Sequence, residues 1–430
     1  MARPSHNIWP QSGVTISHGE GALFWDTQGK RYIDLSCQTM NLLYGQSHPV
    51  LGAAIKAAWD KYTFVDQDFI SREQNKAIEE LSALLPKHLE VYNVRMNDGS
   101  SAVECAVKQA RRHTGRAKVL TVDGIYLGQN TQTIHLRGWG KRPDDILRGG
   151  SEDVVFAPIP FPNYDRELVN CPDEDGRSIA ELIEKLRGSL SCVLVDPIMI
   201  SSGVTTGRAM KLFLKRTEEA CKLFGIPLIL DECQTFGWVP DFTLTRNYDI
   251  ATDILILGKS VGGGLPLAIC ASRPEYDNLN VGDADYTNGG TATAIAGLSA
   301  TCALLTDPTE QAAFEKLCIL LESLVQELVA GFPGMLRTRG VGLIRAIEFC
   351  AARDKATNRS MALAVAEELL EHGVYIRCHM TCLTIKLPRV ITATVLREAI
   401  AIIESIIGKW FKPVHGIYSG RERSACFIHY

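Results

Sequence analysis

Leu228-Ile-Leu-Asp231-Glu232-Cys-Gln234-Thr-Phe-Gly237 and, further on, Ile254-Leu-Ile-Leu-Gly258-Lys259-Ser-Val-Gly-Gly-Gly264 decide how this chain is read. Each stretch opens with a short, fully apolar run, the pattern of a strand buried on both faces. The first run ends in an acid, the second in a lysine followed by glycines. Two such strands deliver opposite charges to one edge of a sheet, where open α/β proteins keep their ligand sites. An aspartate and a lysine held together there suit pyridoxal 5'-phosphate (PLP). The lysine can form a Schiff base with the aldehyde, and the acid can pair with the pyridinium nitrogen.

Other readings of Lys259 are weaker. Gly258-Lys259-Ser260 looks like the end of a P-loop, but the glycine required five residues before the Gly-Lys pair is Asp253. The glycines at 262–264 could cradle a phosphate, though a glycine run alone says little. An isolated lysine in a βα loop is ordinarily a surface residue; this one follows a fully apolar strand and belongs to a constellation.

The chain has 430 residues, 46% hydrophobic and 22% charged, with a net charge of −4 and no block of like charge. That composition fits a globular protein of a large domain plus a smaller one, and gives no footing for nucleic acid or an anionic membrane. The first residues lack an apolar signal-peptide region, and no long apolar run suggests a membrane span. The thirteen cysteines follow no framework and read as reduced thiols, so a cytoplasmic location is expected. Cys378-His379-Met-Thr-Cys382, with His372 upstream, has metal-ligating residue types, but no second pair stands at standard spacing. No metal site is expected, and the stretch reads as a loop before a strand.

Gly21–Leu35 carries a polar Asp-Thr-Gln-Gly turn between aromatic-rich runs, a hairpin signal. Residues 50–85 read as helical. From about 91, strands and helices alternate: Val91–Met96, helix 101–114, Lys118–Val122, helix 178–188, Cys192–Val195, helix 208–224, Pro227–Leu230 and Ile254–Leu257. Ser101-Ala-Val-Glu104 reads as a capping box and Gly115 as the stop. Residues 137–177 read as an irregular surface excursion and the tail from about 417 as polar and weakly patterned. Helices are expected near 292–306 and 308–331. The fold class is therefore α/β, a mostly parallel sheet with helices on both faces. The expected division is 1–58 as the N-terminal segment of a small α+β domain, 59–320 as the large domain, and 321–430 as the rest of the small domain.

Three further stretches join the lysine. Asn97-Asp-Gly99-Ser100-Ser101 lies between a strand and a helix, where free amides make an anion site. Tyr126 follows another strand and could stack on a flat cofactor. Asp285-Tyr-Thr287-Asn-Gly-Gly290 offers hydroxyls and glycines before an Ala-rich helix.

Together these motifs resemble the class III (ω-) aminotransferase family of fold-type I PLP enzymes, collinearly from about Gly21 to Ile403. The most specific match is Asp231-Glu-Cys-Gln234-Thr with Gly258-Lys259; weaker ones are Gly45-Gln-Ser-His48-Pro49 and Arg339-Gly-Val-Gly342. The resemblance implies that Lys259 is the Schiff-base lysine, that Asp231 pairs with the ring nitrogen and that Gln234 approaches the phenolic oxygen. It implies phosphate binding by Gly99 and Ser100, stacking by Tyr126, and a phosphate contact from Thr287 to the neighbouring subunit, hence a homodimer with shared active sites. The chain departs from the family at Leu127, where a histidine is frequent, and at Ser201, where a glutamate is frequent. At Lys386 an arginine often grips the substrate carboxylate; Lys386 or Arg377 would take that part, with Arg389 next.

An aminotransferase is the leading expectation: an amino group moves from an amine or amino acid to a keto acid or aldehyde through a Lys259 Schiff base. A racemase, an aminomutase or a carbon–carbon bond-forming PLP enzyme is the alternative, because all use the same residues and differ in where a proton is delivered. A non-catalytic binding protein is disfavoured by the presence of both Lys259 and Asp231.

Overall fold

The computed structural model of the chain describes residues 12–69, 71–138, 152–160 and 177–411. The N-terminal segment supplies β1 (Ile16–Glu20), β2 (Leu23–Asp26) and β3 (Arg31–Asp34). The middle supplies β4 (Val91–Met96), β5 (Lys118–Val122), β6 (Val154–Ala157), β7 (Leu190–Val195), β8 (Leu228–Asp231), β9 (Ile254–Leu257) and β10 (Ala268–Ser272). The last strands are β11 (Leu336–Val341), β12 (Ile344–Phe349), β13 (Val374–Tyr375), β14 (Arg377–His379) and β15 (Cys382–Lys386).

The seven middle strands form one sheet in the order β4-β10-β9-β8-β7-β5-β6. Neighbours from β6 to β9 run parallel, whereas β10 is antiparallel to both β9 and β4. β8 and β9 are central and buried along their whole length, as their unbroken apolar runs require. Each fully buried Leu or Ile contributes ~1.5–3 kcal/mol, which helps to offset placing a carboxylate at the end of β8. A four-stranded sheet, β11-β12-β15-β14, stands apart in sequence. In the third sheet, β1-β2-β3-β13, the N-terminal hairpin pairs with a strand from near the other end of the chain.

Several expectations change in detail. The helix expected at 101–114 runs Gly99–Thr114, and its N-cap is Asp98 rather than Ser101. Asp98 is extended, and its Oδ1 accepts from the Ser101 amide (2.8 Å) and hydroxyl (3.1 Å), which outcompetes the Ser101–Glu104 box. The stop at Gly115 is as read, with φ +66. The span 50–85 is two helices, Pro49–Lys61 and Arg72–Ser82. Strand β6 lies inside the stretch read as irregular, the rest of which falls largely outside the described residues, as does the tail from 417. The stretch 378–382 is not a loop but a tight hairpin of β14 with β15, turning at Met380, φ +54.

Candidate active site

Asp231 is the last residue of β8, and Lys259 follows β9 by two positions, so the parallel pairing sets both at the same edge. Immediately after β9 the backbone leaves regular geometry. Gly258 is extended, Lys259 has φ +50, and Gly263 and Gly264 have φ +62 and +98. A non-glycine residue in the left-handed region is uncommon and concentrates at functional sites. Gly258 also has a steric reason: a Cβ there would stand 2.7 Å from Cys233 Sγ, and one on Gly99 would stand 3.1 Å from the same sulfur. Cys233 thus fills the gap between the start of the 99–114 helix and the lysine turn.

One cavity of about 530 Å³ opens at this edge. Its wall includes Gly99, Ser100, Tyr126, Asp231, Gln234 and Lys259, so the fold gathers six of the sequence-selected residues from four separate stretches. Asn97, Asp98 and Gly128 adjoin them. Gly128, at φ +125, is obligatory, because a Cβ there would be 2.6 Å from Ser100 Oγ, which itself accepts from the Gln129 amide at 3.1 Å. With Asp98 spent on the Ser101 amide, the first-turn N–H groups of Gly99 and Ser100 remain to meet an anion.

Asp231 Oδ1 accepts from the Cys233 amide at 2.9 Å, leaving Oδ2 for a ligand. Burial raises its pKa, opposed by the Cys233 bonds and the charge of Lys259. A second carboxylate on the wall, Asp196, is pushed up to about 7 by burial and then by the charge of Asp231. Its Oδ1 accepts from the Ile198 and Met199 amides at 2.9 and 3.0 Å. Glu232, also buried, accepts from the Leu244 amide (3.0 Å) and from the Thr235 and Thr245 hydroxyls, tying the loop after β8 to residues 244–245.

Thr287, Lys386, Arg377 and Arg389 lie off this wall. Thr287 is exposed on its own chain, in a loop over β4; a Cβ on nearby Gly289 would strike the Arg95 carbonyl carbon at 2.1 Å. Lys386 is wholly buried, Arg377 is buried on β14, and Arg389 is buried with Nη1 3.3 Å from Tyr44 Oη and its guanidinium 4.1 Å from the Phe314 ring centre. Leu127 is a buried wall residue, and Ser201 donates to the Gly124 carbonyl at 2.9 Å. Sequence reasoning missed Asn41 and the Leu265–Leu267 stretch, which complete the wall. Arg137, 6.0 Å from the Tyr126 ring centre, was missed as well. Asn41 belongs to an irregular turn with no periodicity to announce it.

The donor set fits PLP. Amides and a hydroxyl at a helix start suit its phosphate, a buried carboxylate suits its ring nitrogen, and a primary amine suits its aldehyde. The sequence profile of the family described as Aminotransferase class-III matches residues 5–407. The chain is 28% identical to the diaminobutyrate–2-oxoglutarate transaminase of Wolinella succinogenes, over 92% of each chain. It is 25% identical to the [LysW]-aminoadipate semialdehyde/glutamate semialdehyde transaminase of Sulfurisphaera tokodaii, over 91% of this chain and 94% of that one. Its fold is similar to the PMP-bound aminotransferase from Vibrio fluvialis, with a TM-score of 0.82 over 93% of each chain at 21% identity. The fold is that of the fold-type I PLP enzymes. The chain belongs to the class III aminotransferases and is a PLP-dependent transferase that moves amino groups.

Proposed function

We propose that the cavity beside Lys259 is the transamination site, with each wall residue in the role its chemistry suits. PLP, when bound, supplies an electron sink for the bond that breaks beside the substrate nitrogen. Lys259 Nζ would be the cofactor's attachment point. Once an incoming amine frees it, the same Nζ would take the proton from the substrate carbon, a nucleophile first and a general base second. Asp231 would hold a proton on the ring nitrogen through Oδ2. Gly99 and Ser100 would hold the phosphate, Tyr126 would lie against the ring, and Gln234 would meet the phenolic oxygen. The observation that carries this reading is the convergence of these six residues on one wall.

The substrates proposed are an amine or amino acid as donor and a keto acid or aldehyde as acceptor, the broad class that the names of the two transaminases cover. Lys386 and Arg377 as carboxylate partners draw no support from the wall, on which neither stands.

A homodimer is also proposed, with Thr287 reaching the neighbour's phosphate. Thr287 is exposed on its own chain, and so are Val50, Trp59 (61%), Phe64 and Phe69 (70%), on and just beyond the Pro49–Lys61 helix. Large apolar side chains exposed in one region mark association surfaces. The domain division at 58/59 and 320/321 is proposed on the separate sheets of the middle and C-terminal strands. A cytoplasmic location is proposed on eleven free thiols among the described residues; no helix there is long and apolar enough to cross a membrane.

Borohydride reduction of the PLP-loaded protein followed by peptide mapping tests the assignment. The pyridoxyl label should sit on Lys259, and Lys259→Ala should remove both label and turnover while the thermal transition persists. A label on any other lysine refutes the reading.

A further inference from the structure

Lys386 ends β15 with its side chain wholly buried. Nζ donates to the Met40 carbonyl at 3.0 Å and to Gln234 Oε1 at 3.4 Å, and it lies 3.6 Å from the centre of the Trp238 ring. An amine buried this completely is tolerated only where its N–H groups find acceptors. Both acceptors lead to the cavity. Gln234 is on its wall, and Met40 precedes Asn41, which is also on the wall.

The turn that carries Met40 is strained. Cys37, Gln38 and Met40 have φ of +47, +58 and +60, which non-glycine residues keep only when their surroundings hold them. Asp34 holds one side, accepting from the Ser36 amide at 2.9 Å and the Gln38 amide at 2.8 Å. Lys386 holds the other, through the Met40 carbonyl.

Donor chemistry fixes what Gln234 can do. A lysine amine offers N–H groups, three when charged and two when neutral. Burial and the charge of Lys259 push the Lys386 pKa well down, but either form has one N–H for each of the two carbonyl oxygens. Gln234 therefore turns its oxygen to Lys386, and its NH2 group is left for the cavity.

We propose that Lys386 is a positioning residue: it locks Gln234 so that the cavity receives a hydrogen-bond donor, and it braces the Met40 turn that presents Asn41. The inference rests on the reading of Gln234 as a cofactor contact, and adds to it the group that orients the amide.

The test measures PLP affinity of the apoprotein by equilibrium dialysis, alongside thermal transitions and KM. Gln234→Ala should weaken PLP binding about 10-fold, the loss of one hydrogen bond at about 1.4 kcal/mol. Lys386→Met should weaken it comparably, and the double variant should be no weaker than Gln234→Ala alone, because the second change removes a support whose object is gone. Additive losses would mean that Lys386 contributes only packing and would overturn the inference. A rise in KM confined to carboxylated donors, with PLP affinity intact, would make Lys386 a substrate contact and overturn it as well. If Gln234→Ala leaves PLP affinity unchanged, the reading of Gln234 falls and the inference with it. If Gln234→Ala weakens binding and Lys386→Met does not, only the inference falls. Should Lys386→Met not fold, Gln234→Glu reads the same orientation. A carboxylate presents an acceptor where the amide presents a donor, so it should bind PLP more weakly than Gln234→Ala, and equal or tighter binding refutes the lock.

Discussion

Lys259 and Lys386 both close short apolar strands, yet one lines a cavity and the other is wholly enclosed. Beside Lys259, Gly258 packs against Cys233, Gly263 against Gly297 and Leu51, and Gly264 against Leu42, and a left-handed backbone turns the residue out of the line of β9. Around Lys386 the strand stays regular, the pairing with β12 continues to Ile344, and the Trp238 ring fills the space beside the amine. The same side chain lines a cavity or is enclosed according to the backbone next to it. The two surroundings differ in backbone: glycines and a left-handed turn beside Lys259, a regular paired strand at Lys386.

The largest expected effect tests the electrostatic half of that contrast. Lys259 shares its cavity wall with a buried carboxylate, whereas Lys386 leans on carbonyl oxygens and a ring. Asp231→Asn keeps the shape and removes the charge. Turnover should fall by roughly 100-fold, about 2.7 kcal/mol in transition-state stabilisation, with the thermal transition little changed. Turnover near that of the parent would mean that Asp231 does not face the cofactor.

Next comes the steric half. Gly258→Ala places a methyl 2.7 Å from Cys233 Sγ and should cost about 2 kcal/mol of stability, the usual scale of overpacking. Adding Cys233→Ala should recover much of that loss. Equal losses with and without the sulfur would show that the clash lies elsewhere.

A smaller effect concerns the neighbour. Thr287→Ala should weaken PLP retention by about 1.5 kcal/mol, one hydrogen bond to a charged group, with the dimer intact by light scattering. A monomer of full activity would contradict the shared site.

The smallest effect is a pH trend at Asp196. Its folded pKa of about 7 lies above the ordinary aspartate value of 3.8, so the folded apoprotein holds this proton more tightly than the unfolded chain. Its stabilising contribution is complete below the lower value and is lost as pH rises through the upper one. Asn carries no proton to lose. The thermal transition of Asp196→Asn should therefore gain on that of the parent as pH rises between the two values. A constant difference across that range would show that Asp196 titrates normally.

Where signal was local, the sequence could be read. β8 and β9 announce themselves by unbroken apolar runs, and the strand-end positions of Asp231 and Lys259 follow from them. Ser101–Glu104 misled because a capping box and an Asx cap differ only in which polar residue meets the amides, which is decided by the extended backbone at Asp98. β6 was lost in a polar stretch, because a four-residue strand beside β5 draws its stability from its neighbour. Asn41 and the enclosure of Lys386 could not be read at all. Both depend on a turn near one end of the chain meeting a strand near the other, and periodicity carries no information about such meetings.

That meeting also sets an order in time. Arg377 N donates to Ser36 Oγ, 341 residues away in sequence, at 2.9 Å. Lys386 N donates to the Leu35 carbonyl and Arg389 N to the Leu43 carbonyl, each at 2.8 Å. Bringing ends this distant together costs about 5 kcal/mol beyond the constant term of loop closure, a cost that the intervening sheet offsets by drawing the ends near. On the ribosome, the turn at Met40 emerges first and waits for β15, the strand that will brace it. Asn41 is made well before β15, yet the turn that presents it is completed only by that strand.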